Sequence, residues 1–260
     1  FHMTIDDWND TIESEIDDMY AEGISSFKMY MTYPAMMLGD ELMYKALKKL
    51  KEKGGICGVH CENAGVIDAL IAEKKEKGEN GVYCHPETRP DFLEAEAVSR
   101  LLRIAEAVDI PVVIVHTTNI QALDEVANAR WRGQKVFVET CPQYLMLDDT
   151  CYLEQGEDGF AGAKYVMSPP LRHAGDRAAL REALVAGEID TIATDHCSFN
   201  LHGQKDRGRD DFRAIPNGGP GVEHRPVAIA TSFEGQLGPE DLCRLMSENP
   251  ARVFGMYPRK

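Results

Sequence analysis

Two periods of apolar residues alternate along the chain. The helical period shows first at Ile5, Trp8, Ile12, Ile16 and Met19, with Thr4 and Asp7 resembling an N-terminal capping box and Gly23 closing the element. Asp40 opens a second helix through Leu42, Ala46, Leu47 and Leu50, and a third runs from Asn63 through Ile71. The same spacing predicts helices over 91–108, 119–131 and 176–186, with shorter ones over 226–233 and 239–247. Between them lie short β-prone runs at 24–30, 55–60, 112–116, 135–140 and 189–195. Residues 78–90 are polar and read as a loop. Residues 197–224, rich in Gly, Arg and Asp, are too long for an ordinary connector and have the character of a loop that covers a site.

Strands alternating with helices predict an α/β fold with a parallel sheet and right-handed crossovers. Five predicted strands are fewer than the eight of a (β/α) barrel, and a doubly wound sheet competes. However, no Gly-x-Gly-x-x-Gly turn follows the first strand, which removes the usual support for a dinucleotide fold.

The choice turns on how the strands end. Phe27 precedes Lys28, Val59 precedes His60, Val115 precedes His116, and the run from Thr191 ends on Asp195 and His196. The first polar side chains after an apolar strand emerge at its C-terminal tip, where α/β enzymes build their sites. Tips on separate strands converge on one point if the strands form a ring, which favours the barrel. Two imidazoles and a carboxylate from separate strands suit a borderline divalent cation such as zinc. Lys28 is odd in that company until it is neutral; burial beside a cation favours the free amine, which can react with carbon dioxide to form a carboxylate-like bridge. Each residue also has a plainer reading. Either histidine alone could bond a backbone carbonyl, and Lys28 alone could be a surface lysine with a buried stem; the four together favour a metal. His196 points to the other side of its strand, and His2, His85, His173, His202 and His224 are read as non-ligands. Cys61 and Cys197 are expected to be small buried thiols.

Composition narrows the partners. A formal charge of −15 argues against nucleic-acid and anionic-membrane surfaces, and no apolar run approaches the roughly 20 residues of a membrane span. Seven cysteines, several inside strand patterns and none in a Cys-x-x-Cys pair, fit reduced thiols in a cytoplasmic protein. The chain opens and stops abruptly beside helix signals and reads as an internal piece of a longer polypeptide.

Seven ordered stretches carry a resemblance: Ser26-Phe27-Lys28-Met29-Tyr30-Met31, Val59-His60-Cys61-Glu62-Asn63, Val115-His116, Glu139-Thr140-Cys141-Pro142-Gln143-Tyr144, Tyr165 through Arg172, Thr194-Asp195-His196-Cys197, and Ile215 through Gly221. Together they resemble the dihydropyrimidinase/D-hydantoinase branch of the cyclic amidohydrolases from end to end. The resemblance implies a single truncated domain over 1–260: a partial TIM-like barrel whose early strands and flanking β-sandwich domain are missing. It implies two zinc ions bridged by carboxylated Lys28, with His60 and His116 completing one ligand set and Asp195 both ligating the other ion and serving as general acid/base. Tyr33 would donate to the oxyanion, Ser168 and Asn217 would hold the ring imide largely through backbone groups, and residues 29–38 would shape the pocket. The implied substrate is a small cyclic ureide or imide, and the implied assembly a homotetramer. The family's His-x-His pair has no counterpart here; Phe1-His2-Met3 is not that motif. The 260-residue piece by itself is therefore expected to be poorly active. Rival readings are an allantoinase or dihydroorotase, a non-catalytic tubulin-binding relative, and a plain α/β binding domain; retention of Lys28, His60, His116 and Asp195 weighs against the scaffold.

Overall fold

Six strands pair in the order in which they occur along the chain, every pair parallel. The structure is a computed structural model describing residues 1–258; Arg259 and Lys260 lie outside it. The first strand, β1 (Met3–Thr4), corrects the sequence reading. Thr4 caps no helix: Met3 and Thr4 pair with Phe27 and Lys28, and the Ile5 amide donates to the Lys28 carbonyl at 2.9 Å. Pairing with a distant strand thus overrides a local cap signal. Helix α1 (Asp10–Ala21) starts at Asn9 instead, whose side-chain oxygen accepts from the amides of Thr11 and Ile12.

The next units follow the predicted pattern closely. Strand β2 (Ser26–Tyr30) leads to α2 (Asp40–Lys53), which has Asp40 and Glu41 in its first turn and Lys51 and Lys53 in its last, matching the helix dipole. Gly54 ends it in the left-handed conformation (φ 70°). The helix buries Met43, Ala46, Leu47 and Leu50. Strand β3 (Ile56–His60) is buried at every position, as a parallel strand covered on both faces should be. Helix α3 (Ala64–Glu76) follows, and the loop expected over 78–90 holds one short helix, α4 (Cys84–Glu87). The long α5 (Asp91–Val108) buries Leu93, Ala97, Val98, Leu101, Leu102 and Ala105.

Strand β4 (Val112–Ile114) is shorter than its apolar run because the chain turns away at Val115 and His116. After α6 (Ile120–Trp131), β5 (Val136–Thr140) and the short α7 (Pro142–Met146), an irregular stretch leads to α8 (Ala174–Ala186) and β6 (Thr191–Ile192). Residues 197–224 carry only two short 3₁₀ turns before α9 (Arg225–Ser232). The single helix expected over 239–247 divides into α10 (Pro239–Cys243) and a π-helical turn over Arg244–Glu248.

A doubly wound sheet reverses its strand order at a switch point. This sheet never does, so its winding is that of a barrel. It is an open arc, with β1 and β6 at its two edges. All six C-terminal tips lie on one side of it. No helix among the described residues is long and apolar enough to cross a membrane.

Candidate active site

The strand tips bring the expected residues together. Lys28 lies within β2, His60 ends β3, His116 follows β4 by two residues, and Asp195 follows β6 by three. The rings of His60 and His116 meet edge to face with centroids 4.5 Å apart, and the Tyr33 ring lies 5.1 Å from that of His60. The Lys28 ammonium sits 5.2 Å from the Tyr30 ring centre and is close enough to Asp195 and Glu139 to feel their charge. Asp195 in turn senses Lys28 and His60.

Backbone strain marks the same residues. Outside glycine, a positive φ occurs at Tyr33 (70°), Asp109 (59°), His116 (40°) and Asp195 (49°) among the described residues. Asp109 is the C-terminal cap of α5 and needs no further account. The other three all belong to the site. Each such residue costs on the order of 1–3 kcal/mol, and strain of this kind gathers where a side chain must be aimed.

Protonation states suit metal binding. Burial lowers the pKa of His60, of His116 and of Lys28, although carboxylates oppose the shift at His60 and Lys28. His60 Nε2 lies 2.7 Å from Glu62 Oε2, and Glu62 is paired at 2.6 Å with Arg89 Nη1. Burial would raise the Glu62 pKa, but Arg89 and His60 hold it down to about 2. An ionised Glu62 fixes the proton of His60 on Nε2 and leaves Nδ1 as a free lone pair, the arrangement found behind metal-bound histidines. His116 Nδ1 is buried with no hydrogen-bond partner. An orphaned imidazole nitrogen, a second imidazole with a lowered pKa and a lysine that burial pushes toward its neutral form fit a borderline divalent cation.

His60, His116 and Asp195 do not form a single tight ligand cluster. Among the described residues, the group of histidine, cysteine and carboxylate atoms lying within 4.8 Å of one another is Glu79, Cys84 and Glu87. Lys74 bridges Glu79 and Glu87 there, which accounts for the charge. The donor atoms at the strand tips are spaced more widely than that group.

Ser168 and Asn217 are left with open backbone groups. The carbonyls around Ser168 are taken: Val166 accepts from the Gly218 amide, Met167 from His85 Nε2 at 2.8 Å, and Pro169 from the Tyr144 hydroxyl at 2.8 Å. No hydrogen bond among the described residues engages the amide or carbonyl of Ser168 or of Asn217. The Ser168 hydroxyl is buried without a well-formed partner beside the Tyr33 phenol. Burial, then Glu62, keep that phenol protonated far above neutrality.

Several contributors escaped the sequence reading. Glu62 and Arg89 support His60; Arg89 in turn passes its carbonyl to Arg172, which also pairs with Glu94 at 2.8 Å. Glu139, desolvated beside Asp195 while Lys28 opposes the shift, has its pKa raised to about 7. The only local signal was position, since Glu62 and Glu139 both sit at strand ends. His85 is not at the ligand centre, as expected, but it is buried, and burial pushes its pKa down to about 3. Its neutral ring donates to Met167 behind Ser168. His196 makes a loop contact, accepting from the amides of Gly221 and Val222. Cys61 is buried as expected, but Cys197 is exposed, because the chain leaves the sheet before reaching it.

Residues 6–260 match the amidohydrolase family, and the chain belongs to it. Its whole length is 40% identical to 56% of a D-hydantoinase from Streptomyces coelicolor, and 40% identical to 49% of a dihydropyrimidinase from Arabidopsis thaliana. The crystal structure of dihydropyrimidinase from Brevibacillus agri superposes with a TM-score of 0.96 at 38% identity, over 100% of this chain and 57% of that one. The chain thus spans about half the length of the relatives it matches.

Proposed function

We propose that the protein carrying this chain hydrolyses the cyclic amide bond of dihydropyrimidines and 5-substituted hydantoins, releasing N-carbamoyl amino acids. The observation that carries the reading is the convergence of Lys28, His60, His116, Asp195 and Tyr33 at one end of the sheet, with three of them in left-handed backbone. The names of the relatives support the substrate class.

His60 and His116 would hold one zinc ion and Asp195 a second, with carboxylated Lys28 shared between them. Bound there, the ions would acidify a water to a pKa of about 7, which makes its proton available to a base in neutral solution. Asp195 takes the proton of the attacking water and returns it to the ring nitrogen as the carbon–nitrogen bond breaks. Tyr33 donates its hydroxyl proton in a hydrogen bond to the carbonyl oxygen as negative charge gathers there. The free backbone groups of Ser168 and Asn217 pair with the imide and orient the ring. A cytoplasmic location and a homotetrameric assembly belong to the same reading, the latter checked by sedimentation.

Ultraviolet assay of dihydrouracil, hydantoin, allantoin and dihydroorotate tests it. Dihydrouracil and hydantoin should be opened; turnover confined to allantoin or dihydroorotate would replace this substrate class with another. The 260-residue chain assayed by itself should be poorly active or inactive, since the two-ion centre would lack the His-x-His pair. Ring opening at a rate comparable to that of a full-length relative would overturn that expectation.

A further inference from the structure

One buried cation plays no part in the chemistry above. Lys205 lies in the loop between β6 and α9 and is only 1% exposed, among the largest fully buried side chains of the molecule. Its Nζ donates to the carbonyls of Val166 at 2.7 Å and Pro216 at 3.0 Å, and the Phe199 ring lies 6.0 Å away. Both acceptors are neutral backbone oxygens. Burying an ammonium against carbonyls alone is costly, and the strain shows in a pKa that burial lowers to about 8. Something other than charge pairing keeps it there.

The positions of the two acceptors supply the reason. Val166 stands two residues before Ser168, and Pro216 stands immediately before Asn217. Those are the residues whose own backbone groups are left open. The Val166 carbonyl also accepts from the Gly218 amide at 3.0 Å, so the two segments are joined directly and through Lys205. The turn that carries Lys205 is itself locked against the second segment. A Cβ on Gly208 would lie 2.5 Å from the Ile215 backbone nitrogen, leaving no room for either to shift. On the far side, His85 and Tyr144 hold Met167 and Pro169.

We propose that Lys205 is a positioning residue for substrate: its buried Nζ fixes the separation of segments 166–168 and 216–218, so that Ser168 and Asn217 meet the donors and acceptors of one cyclic imide together. The inference rests on the ring-hydrolase reading and deepens it. Lys205 touches neither the ring nor the metal ligands; it acts through the carbonyls it holds.

The test is Lys205→Met in the protein that carries this chain, assayed on hydantoin and dihydrouracil, with amide hydrogen exchange measured in parallel. KM should rise about tenfold while kcat changes by less than about twofold, because uniform ring binding is lost and the attack geometry is not. Exchange should quicken in 165–171 and 214–221 and stay unchanged in the strands carrying Lys28 and His60. Lys205→Gln, which keeps two N–H donors on a shorter arm, should fall between, and it serves if the methionine variant does not fold. A wild-type KM in either folded variant overturns the inference, whatever happens to the melting temperature. A wild-type protein that opens no ring overturns the hydrolase reading, and this inference with it.

Discussion

Asp195→Asn lowers kcat by about 10²–10⁴-fold, the range lost when a positioned general acid/base is removed, while the protein stays folded. The amide cannot take a proton from water or return one to the ring nitrogen, so both halves of the exchange are lost. The fold, however, should tolerate the change. Asp195 holds φ at 49°, a conformation that asparagine adopts more readily than most residues. Asp195 is exposed at the mouth of the site, and desolvation there already raises its pKa against the pull of Lys28 and His60, so exchanging the carboxylate for a neutral amide strands no charge in the core. Steady-state kinetics on hydantoin with a thermal melt separate the two effects. A kcat within tenfold of wild type would remove Asp195 from the proton-transfer role.

Arg89→Met has its main effect on stability. Arg89 Nη1 pairs at 2.6 Å with Glu62, which is 1% exposed and bonded to His60. Removing the guanidinium strands a buried carboxylate, which costs on the order of 3–5 kcal/mol. For a chain of this size that corresponds to a fall of roughly 10 °C in Tm. Glu62 then escapes the penalty by taking up a proton, and a protonated Glu62 no longer fixes the tautomer of His60. Metal affinity should drop by about 10–100-fold as well. The double variant Arg89→Met, Glu62→Gln recovers much of the lost stability, since the amide oxygen still accepts from His60 Nε2 and no charge is stranded. A single variant melting with the wild type would show that water reaches the pair and screens it.

How much of this was written locally in the sequence differs from residue to residue. Helices α2 and α5 declared themselves because each carries a wide apolar stripe that meets a core: Asp40 and the span from Asp91 to Val108 stand where the periodicity puts them. His60 and His116 were visible because a polar residue after an apolar run emerges at or just past the strand tip, and Lys28 because a lone cation inside a buried strand is out of place. Thr4 misled because its pairing partners, Phe27 and Lys28, lie a helix away in the chain. Arg89, His85 and Lys205 were illegible for a related reason. Each stands in a polar stretch where a charged or aromatic side chain ordinarily faces water, and only segments far away in sequence enclose it. The exposure of Cys197 failed in the opposite direction, since β6 pairs over Thr191–Ile192 and releases the chain early.

The left-handed geometry of Tyr33, His116 and Asp195 sets robustness against chemistry at three points of one cleft. Glycine at any of them would relax the main chain, but at His116 and Tyr33 it would also remove a ring packed against His60. Three side chains held in costly torsions around one opening are the mark of a surface shaped by more than the packing of its own core.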